Sequence, residues 1–418
     1  MTSTSRRIGA FVWVWLPGST EPVVSGRIRR VGERYDFAYG RSYLGRAEAI
    51  SLYGPELPLR EGWIEPHDGL DIASALRDAG PDSWGQRVIL DRMFGVRGPD
   101  AAPGDTDHLT YFLESGSNRI GALDFQSSAE HYIPRADTAS LDELHTAADE
   151  LQAGHAIKTV LAHALVHGTS VGGARPKVLI EEGGVQLIAK LSSSTDPYPV
   201  VKAEALGFEF ARRVGINTPK SRLTTSLERD VLLIERFDRT ALGARRSMVS
   251  GLTMLGLHEL VGRYATYPDL LDVLRRDGID ADVGRRLFER IVFNIAIGNT
   301  DDHARNHAAF WDGTHLELTP AYDLCPQLRS GETANQALAI DYDGNKESAF
   351  RVCLDACGVY GLSRSEAKDV IDGQIDVIES DWDAAADTAR LTSAERNGLY
   401  HRQVLNPYAS YGYGGAGT

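Results

Sequence analysis

The sequence predicts a two-lobed α+β protein, with a β-rich N-terminal part and a mainly helical C-terminal part. Three observations carry that expectation. Short runs of aromatic and β-branched residues, separated by Gly, Pro and Asp clusters, fill residues 8 to about 125, which is a strand-and-turn pattern. Beyond about residue 240 the apolar residues recur at helical spacing instead. At 418 residues the chain is long enough for two or three domains, since single domains usually run to roughly 100 to 200 residues.

The elements follow in order. Phe11 to Leu16, Tyr35 to Tyr39 and Ile120 to Phe125 read as half-buried strands of a small module with one helix. That helix starts at Asp82-Ser83 and runs through Trp84 to Met93. Ser140 with Glu143 three residues on is a capping-box signature, and Leu141, Leu144, Ala148 and Leu151 follow at helical spacing. Val178 to Ile180 and Val185 to Leu191 form a hairpin around Gly183-Gly184. Glu204 to Val214 is helical, and Val231 to Ile234 is an apolar strand running into Glu235-Arg236-Phe237. Leu287, Phe288, Ile291, Val292, Ile295 and Ala296 mark a helix buried on a broad stripe that ends at Gly298. The expected domains are 1–130, 131–237 and 238–407, with a Tyr/Gly-rich disordered tail over 408–418.

Bulk properties narrow the function classes. The net charge of -14 opposes attraction to phosphate backbones, so DNA is expected to be reached only through a basic partner. No apolar run approaches the roughly 20 residues of a transmembrane helix, and Phe11 to Leu16 is too short for a signal sequence, so a cytoplasmic location is expected. Cys325, Cys353 and Cys357 imply no disulfide framework and suit a reducing compartment. Cys353 and Cys357 lie four apart, yet zinc needs two further ligands that are not nearby.

The chemistry concentrates after the buried helix, in Gly298-Asn299-Thr300-Asp301-Asp302-His303-Ala304-Arg305-Asn306. An Asp followed five residues later by Asn is the spacing of a kinase catalytic loop, where the Asp orients a hydroxyl proton and the Asn holds a metal. His307 to Trp311 and His315 to Thr319 alternate around Asp312-Gly313, a two-residue hairpin turn. The hairpin returns Asp323 to the end where Asn306 stands, within about 10 Å on strand spacing. Carboxylate and amide oxygens gathered there suit Mg²⁺ bound with nucleotide phosphates. The competing reading makes Asp301, Asp302, Asn306 and Asp323 turn and cap residues. His303 is read as a buttress of the loop, grouped with the nucleotide-binding residues.

Upstream, Thr169-Ser170-Val171-Gly172-Gly173-Ala174-Arg175-Pro176-Lys177 is a Gly-rich loop whose backbone N–H groups can approach phosphate oxygens, or an ordinary loop. Lys190 ends the following hairpin and is placed to pair with phosphates, with Glu204 as its possible partner. Glu235 to Phe237 has the position of a hinge whose backbone reads an adenine edge.

Together with Pro81-Asp82-Ser83-Trp84-Gly85 and Arg119-Ile120-Gly121-Ala122-Leu123, the segments Ser170 to Lys177, Glu235 to Arg239, Gly298 to Asn306 and Leu318 to Asp323 resemble the HipA family of toxin kinases. The resemblance covers nearly the whole chain. It implies a bilobal protein-kinase-like fold and a serine/threonine protein kinase using ATP and Mg²⁺. Asp301 would be the catalytic base, Asn306 and Asp323 metal ligands, and Lys190 the phosphate lysine. Ser170, Val171, Gly172, Gly173, Ala174 and Lys177 would cradle the nucleotide, and Glu235 and Phe237 would flank the adenine. Ser170 would also be a regulatory autophosphorylation site. The implied partners are a helix-turn-helix antitoxin and a protein substrate such as an aminoacyl-tRNA synthetase. Pro176 departs from an ideal phosphate cradle because it lacks an N–H. A nucleotide-binding co-repressor subunit and a small-molecule kinase are the alternatives.

Overall fold

The computed structural model describes residues 8–95, 106–136, 139–155, 161, 164–166, 175–193, 195–329, 331 and 333–414. Two compact units emerge: Met1–Ser194 with Thr225–Val249 and Phe310–Thr314, and Thr195–Thr224 with Ser250–Ala309 and His315–Thr418.

The first unit opens with an antiparallel sheet in the order β3-β2-β1-β4, made of β1 (Gly9–Trp15), β2 (Pro22–Val31), β3 (Arg34–Tyr39) and β4 (Leu123–Gln126). Val12 and Val14 are fully buried and share a core with Ile28, Phe37, Leu76, Phe112 and Phe125. β2 was not expected from the sequence. Arg27, Arg29 and Arg30 interrupt its apolar pattern, and the ion pair of Arg29 with buried Asp36 on β3 is what accommodates one of those charges. The expected single helix is Ser83–Phe94, capped by Asp82, but Arg41–Leu44, Ser74–Arg77 and His108–Glu114 are helical in the same stretch as well.

The same unit holds β5 (Lys177–Glu182), β6 (Val185–Leu191) and β8 (Arg229–Glu235), paired in the order β5-β6-β8, while β7 (Ser221–Ser226) lies across the division between the units. The β5–β6 hairpin turns on Gly183 and Gly184, both at positive φ, as a tight primed turn requires. The helix expected from Ser140 is Leu141–Gln152, and its capping box is complete. Its buried face, Leu144, Ala147, Ala148 and Leu151, packs with Val178, Leu187, Ala189 and Leu233 of the sheet.

The second unit is built around the helix Val283–Ile297. Leu287, Phe288, Ile291 to Phe293 and Ile295 to Ile297 are all inaccessible to solvent, so this helix is buried nearly all round rather than on one stripe. Helices Tyr267–Asp277, Phe350–Ala356 and Arg364–Ser380 surround it. The helix expected at Glu204 begins earlier, spanning Val200–Arg213, with Pro199 at its N-cap. Gly207 lets it approach the following segment closely: a Cβ there would lie 1.9 Å from the Leu324 carbonyl oxygen.

Two expectations are corrected. The hairpin Ala308–Trp311 and Leu316–Leu318 forms, but Asp312 to His315 make a four-residue connection, not a two-residue turn. Asp312 accepts from the Thr314 N–H at 2.7 Å and shapes the wider loop itself. The tail expected to be disordered is docked through residue 414. Pro407–Ser410 is a 3-10 turn, Ala409 is fully buried, and the Tyr413 hydroxyl donates to Asp372 at 2.7 Å. Its aromatic residues thus supply packing that a Gly-rich composition conceals. Among the described residues no helix is long and apolar enough to cross a membrane.

Candidate active site

The site residues of the second unit are positioned by the end of its central helix. Gly298 stops that helix at φ 72°, the left-handed conformation of a C-terminal cap, and a side chain there would meet the Gln403 backbone at 2.4 Å. The chain then folds back on its own backbone: the His303 N–H donates to the Asp301 carbonyl at 2.9 Å and the Asn306 N–H to the His303 carbonyl at 2.8 Å. A single 3-10 turn, Ala304–Asn306, closes the loop. His303 therefore buttresses the loop through its main chain, with an exposed side chain.

Asn306 is buried, and its Nδ2 donates to the Asp301 carbonyl at 2.9 Å. That bond fixes the amide and leaves Oδ1, a hard acceptor, as the atom a cation can use. Past the hairpin, the Thr319 N–H donates to the Ala308 carbonyl at 3.0 Å, and the Tyr322 hydroxyl donates to the Arg305 carbonyl at 2.7 Å. These bonds bring Asp323 back beside the loop. Asp323 has φ 59°, a conformation uncommon for residues other than glycine and tolerated by Asp and Asn.

The electrostatics follow from this gathering. Partial burial raises the pKa of the Asp301 carboxyl, and the Asp323 and Asp302 carboxylates raise it further, while His303 opposes them. Asn306 and Asp323 are thus brought beside Asp301, and the amide oxygen of the one and the carboxylate of the other are hard donors that fit Mg²⁺ completed by phosphate oxygens.

Asp302 belongs to a different arrangement. It is 2% exposed and accepts from the Asn294 Nδ2 at 2.6 Å and from the Tyr267 hydroxyl, with His307 Nε2 at 3.0 Å. Sequence reading missed Tyr267 and Asn294 as parts of the site and gave Asn299 no role of its own. Helix periodicity could have flagged Asn294, a polar residue inside an otherwise apolar run.

In the first unit, Lys177 and Lys190 face each other in register on β5 and β6. Lys190 is half-buried. Lys177 is 3% exposed and its Nζ lies 3.3 Å from Asp82, the residue that caps Ser83–Phe94. Glu235 ends β8, and Phe237 packs edge-on against Phe310 at 5.9 Å. Ser170, Val171, Gly172, Gly173 and Ala174 lie outside the described residues.

Two further motifs meet here. Asp238 accepts from Arg236 at 2.9 Å, from Arg239 at 2.9 Å and from the Gly121 N–H at 2.7 Å. Both guanidinium groups also donate to the Arg119 carbonyl at 2.6 Å. Burial pushes the Asp238 carboxyl pKa up, but the two arginines and the Gly121 N–H outweigh it and hold the carboxyl well below the usual range.

A family model described as the HipA-like C-terminal domain matches residues 169–382, half of the chain. The chain belongs to the HipA family. A HipA structure from Shewanella oneidensis, solved with HipB and operator DNA, aligns with a TM-score of 0.69 at 16% identity, covering 96% of this chain and 97% of that one. The kinase-like α+β fold expected from the sequence is therefore the fold of this HipA-family chain. The serine/threonine-protein kinase toxin HipA of the same organism is 24% identical over 229 residues, which is 47% of this chain and 52% of that relative. The chain spans about half the length of that curated relative. The Helicobacter pylori proinflammatory kinase CtkA is a more distant neighbour, with a TM-score of 0.37, 14% identity, and coverage of 55% of this chain and 93% of its own.

Proposed function

We propose that this HipA-family chain is an ATP-dependent serine/threonine protein kinase and the toxin of a toxin–antitoxin pair. The observation that carries the reading is the convergence of Asp301, Asn306 and Asp323 at the open end of one hairpin. Bound Mg²⁺–ATP supplies the transferable phosphoryl group and spreads the charge that develops on its oxygens. Asp301 accepts or orients the proton of the acceptor hydroxyl. Asn306, through Oδ1, and Asp323, through its carboxylate, hold the cation. Lys190 pairs with the phosphates, and Glu235 and Phe237 flank the adenine. Lys177, whose ammonium also pairs with Asp82, completes this set beside the Gly-rich loop.

Ser170 is the autophosphorylation site in this reading, and a phosphate there would set about two negative charges in the Gly-rich loop and oppose nucleotide binding. The acceptor is a serine of a translation component such as an aminoacyl-tRNA synthetase. The partner is a helix-turn-helix antitoxin in the cytoplasm, and the net charge of -14 favours contact with DNA only through that basic partner. The N-terminal module, nucleotide lobe and catalytic lobe are assigned to 1–130, 131–237 and 238–407.

Incubation with γ-labelled ATP, Mg²⁺ and a cytosolic extract tests the proposal. Label on a serine of one translation protein, and on Ser170, is the expected outcome. Absence of label from every protein, this chain included, contradicts it.

A further inference from the structure

The catalytic-loop turn and the Asp323 loop are separate in sequence, and something must set the distance between them. Two buried asparagines, each 1% exposed, stand between. Asn294 donates through Nδ2 to Asp302 at 2.6 Å, which turns its Oδ1 the other way. That oxygen accepts from Asn299 Nδ2 at 2.9 Å. The second hydrogen of the same Nδ2 reaches the Asp323 carbonyl at 3.2 Å. The chain of bonds has one direction, because the Asp323 backbone carbonyl can only accept. Asn299 is held from the other side too, its carbonyl accepting from buried Gln336 at 3.0 Å.

We infer that Asn294 and Asn299 are positioning residues: their amides tie the Asp301–Asp302 turn to the strained backbone of Asp323, and so set the separation between the proposed base and the proposed metal ligand. Neither amide reaches a reacting atom in this account. Asn299 acts through Asp323, by fixing the carbonyl of a residue at φ 59° that would otherwise relax. Asp302, held also by Tyr267 and His307, is the fixed end of the tie.

This inference rests on the metal role proposed for Asp323, and its test separates the two. Mn²⁺ serves as the probe, its binding read by electron paramagnetic resonance in the presence of a non-hydrolysable ATP analogue, in the full chain carrying Asn299→Ser, Asn299→Asp, Asn294→Ser or Asp323→Asn. Outer groups that orient a ligand cost about 10- to 100-fold in metal affinity when removed. Asn299→Ser and Asn294→Ser are expected to weaken Mn²⁺ binding by about tenfold while metal-free binding of the analogue stays close to the parent's, both read well below each variant's own melting temperature. Asn299→Asp, which sets carboxylate oxygens against two acceptors, is expected to weaken it more. If it does not fold, the serine variants decide. Parental Mn²⁺ affinity in both serine variants, with affinity lost in Asp323→Asn, overturns the inference alone. An equal loss of metal-free nucleotide binding also overturns it, since the effect is then a general loosening. Parental affinity in Asp323→Asn overturns the metal assignment and this inference with it.

Discussion

Asp238 shows how much a single carboxylate can hold in this molecule. Two guanidinium groups and one backbone N–H converge on it, and all are buried. Replacing it by Asn leaves two buried cations short of their counter-charge, so Asp238→Asn is expected to cost about 3 to 5 kcal/mol in urea unfolding at pH 7. The sign of its pH dependence is fixed by its depressed pKa. Its contribution is complete above the unfolded value of about 3.9 and is lost as pH falls through the folded value, so stability should drop below about pH 4. Asp124, held low by Arg119 and Arg135 against its own burial, loses its contribution in the same direction. Urea titrations from pH 5 to 3 check this, and the slope in Asp238→Asn should be shallower than in the parent. The gathering of Asp301, Asn306 and Asp323 could be read from the sequence because only a loop and one hairpin separate them. The partners of Asp302 could not, since Tyr267 lies 35 residues away and meets it only through burial.

Among the elements, the helix Val200–Arg213 bears on the site through the absence of a side chain. Gly207→Ala would press a methyl group into the Leu324 carbonyl, one residue beyond Asp323. It is expected to destabilise the fold by about 1 to 3 kcal/mol and to lower activity, measured by thermal melting and by initial rates at saturating ATP. The cap of Ser83–Phe94 gives a second prediction. Asp82→Ala removes both the helix cap and the counter-charge of buried Lys177, so its cost should exceed the roughly 1 kcal/mol of an ordinary cap loss. Where local chemistry decides an element, the sequence was readable: Gly298 as a helix stop, Ser140 with Glu143 as a start, Gly183-Gly184 as a turn. Where neighbours decide, it was not. β2 exists because β1 and β3 pair with it, and the tail is docked because Tyr413 finds Asp372 and Phe350.

For the whole molecule, the fold is that of HipA at an identity too low to carry details, so the details rest on this chain's own geometry. Its acidity makes one prediction about assembly. At physiological salt the chain alone should not retard duplex DNA in a mobility assay, and a retarded complex should appear only with a basic partner. Binding of DNA by the isolated chain would contradict that arrangement. The central claim is that Asp301 and Asp323 perform phosphoryl transfer, and the most direct measurement compares γ-labelled ATP transfer by the parent, Asp301→Asn and Asp323→Asn at matched melting temperature. The account predicts transfer by the parent and a loss of at least about a hundredfold in each variant. Undiminished transfer by both variants would contradict it.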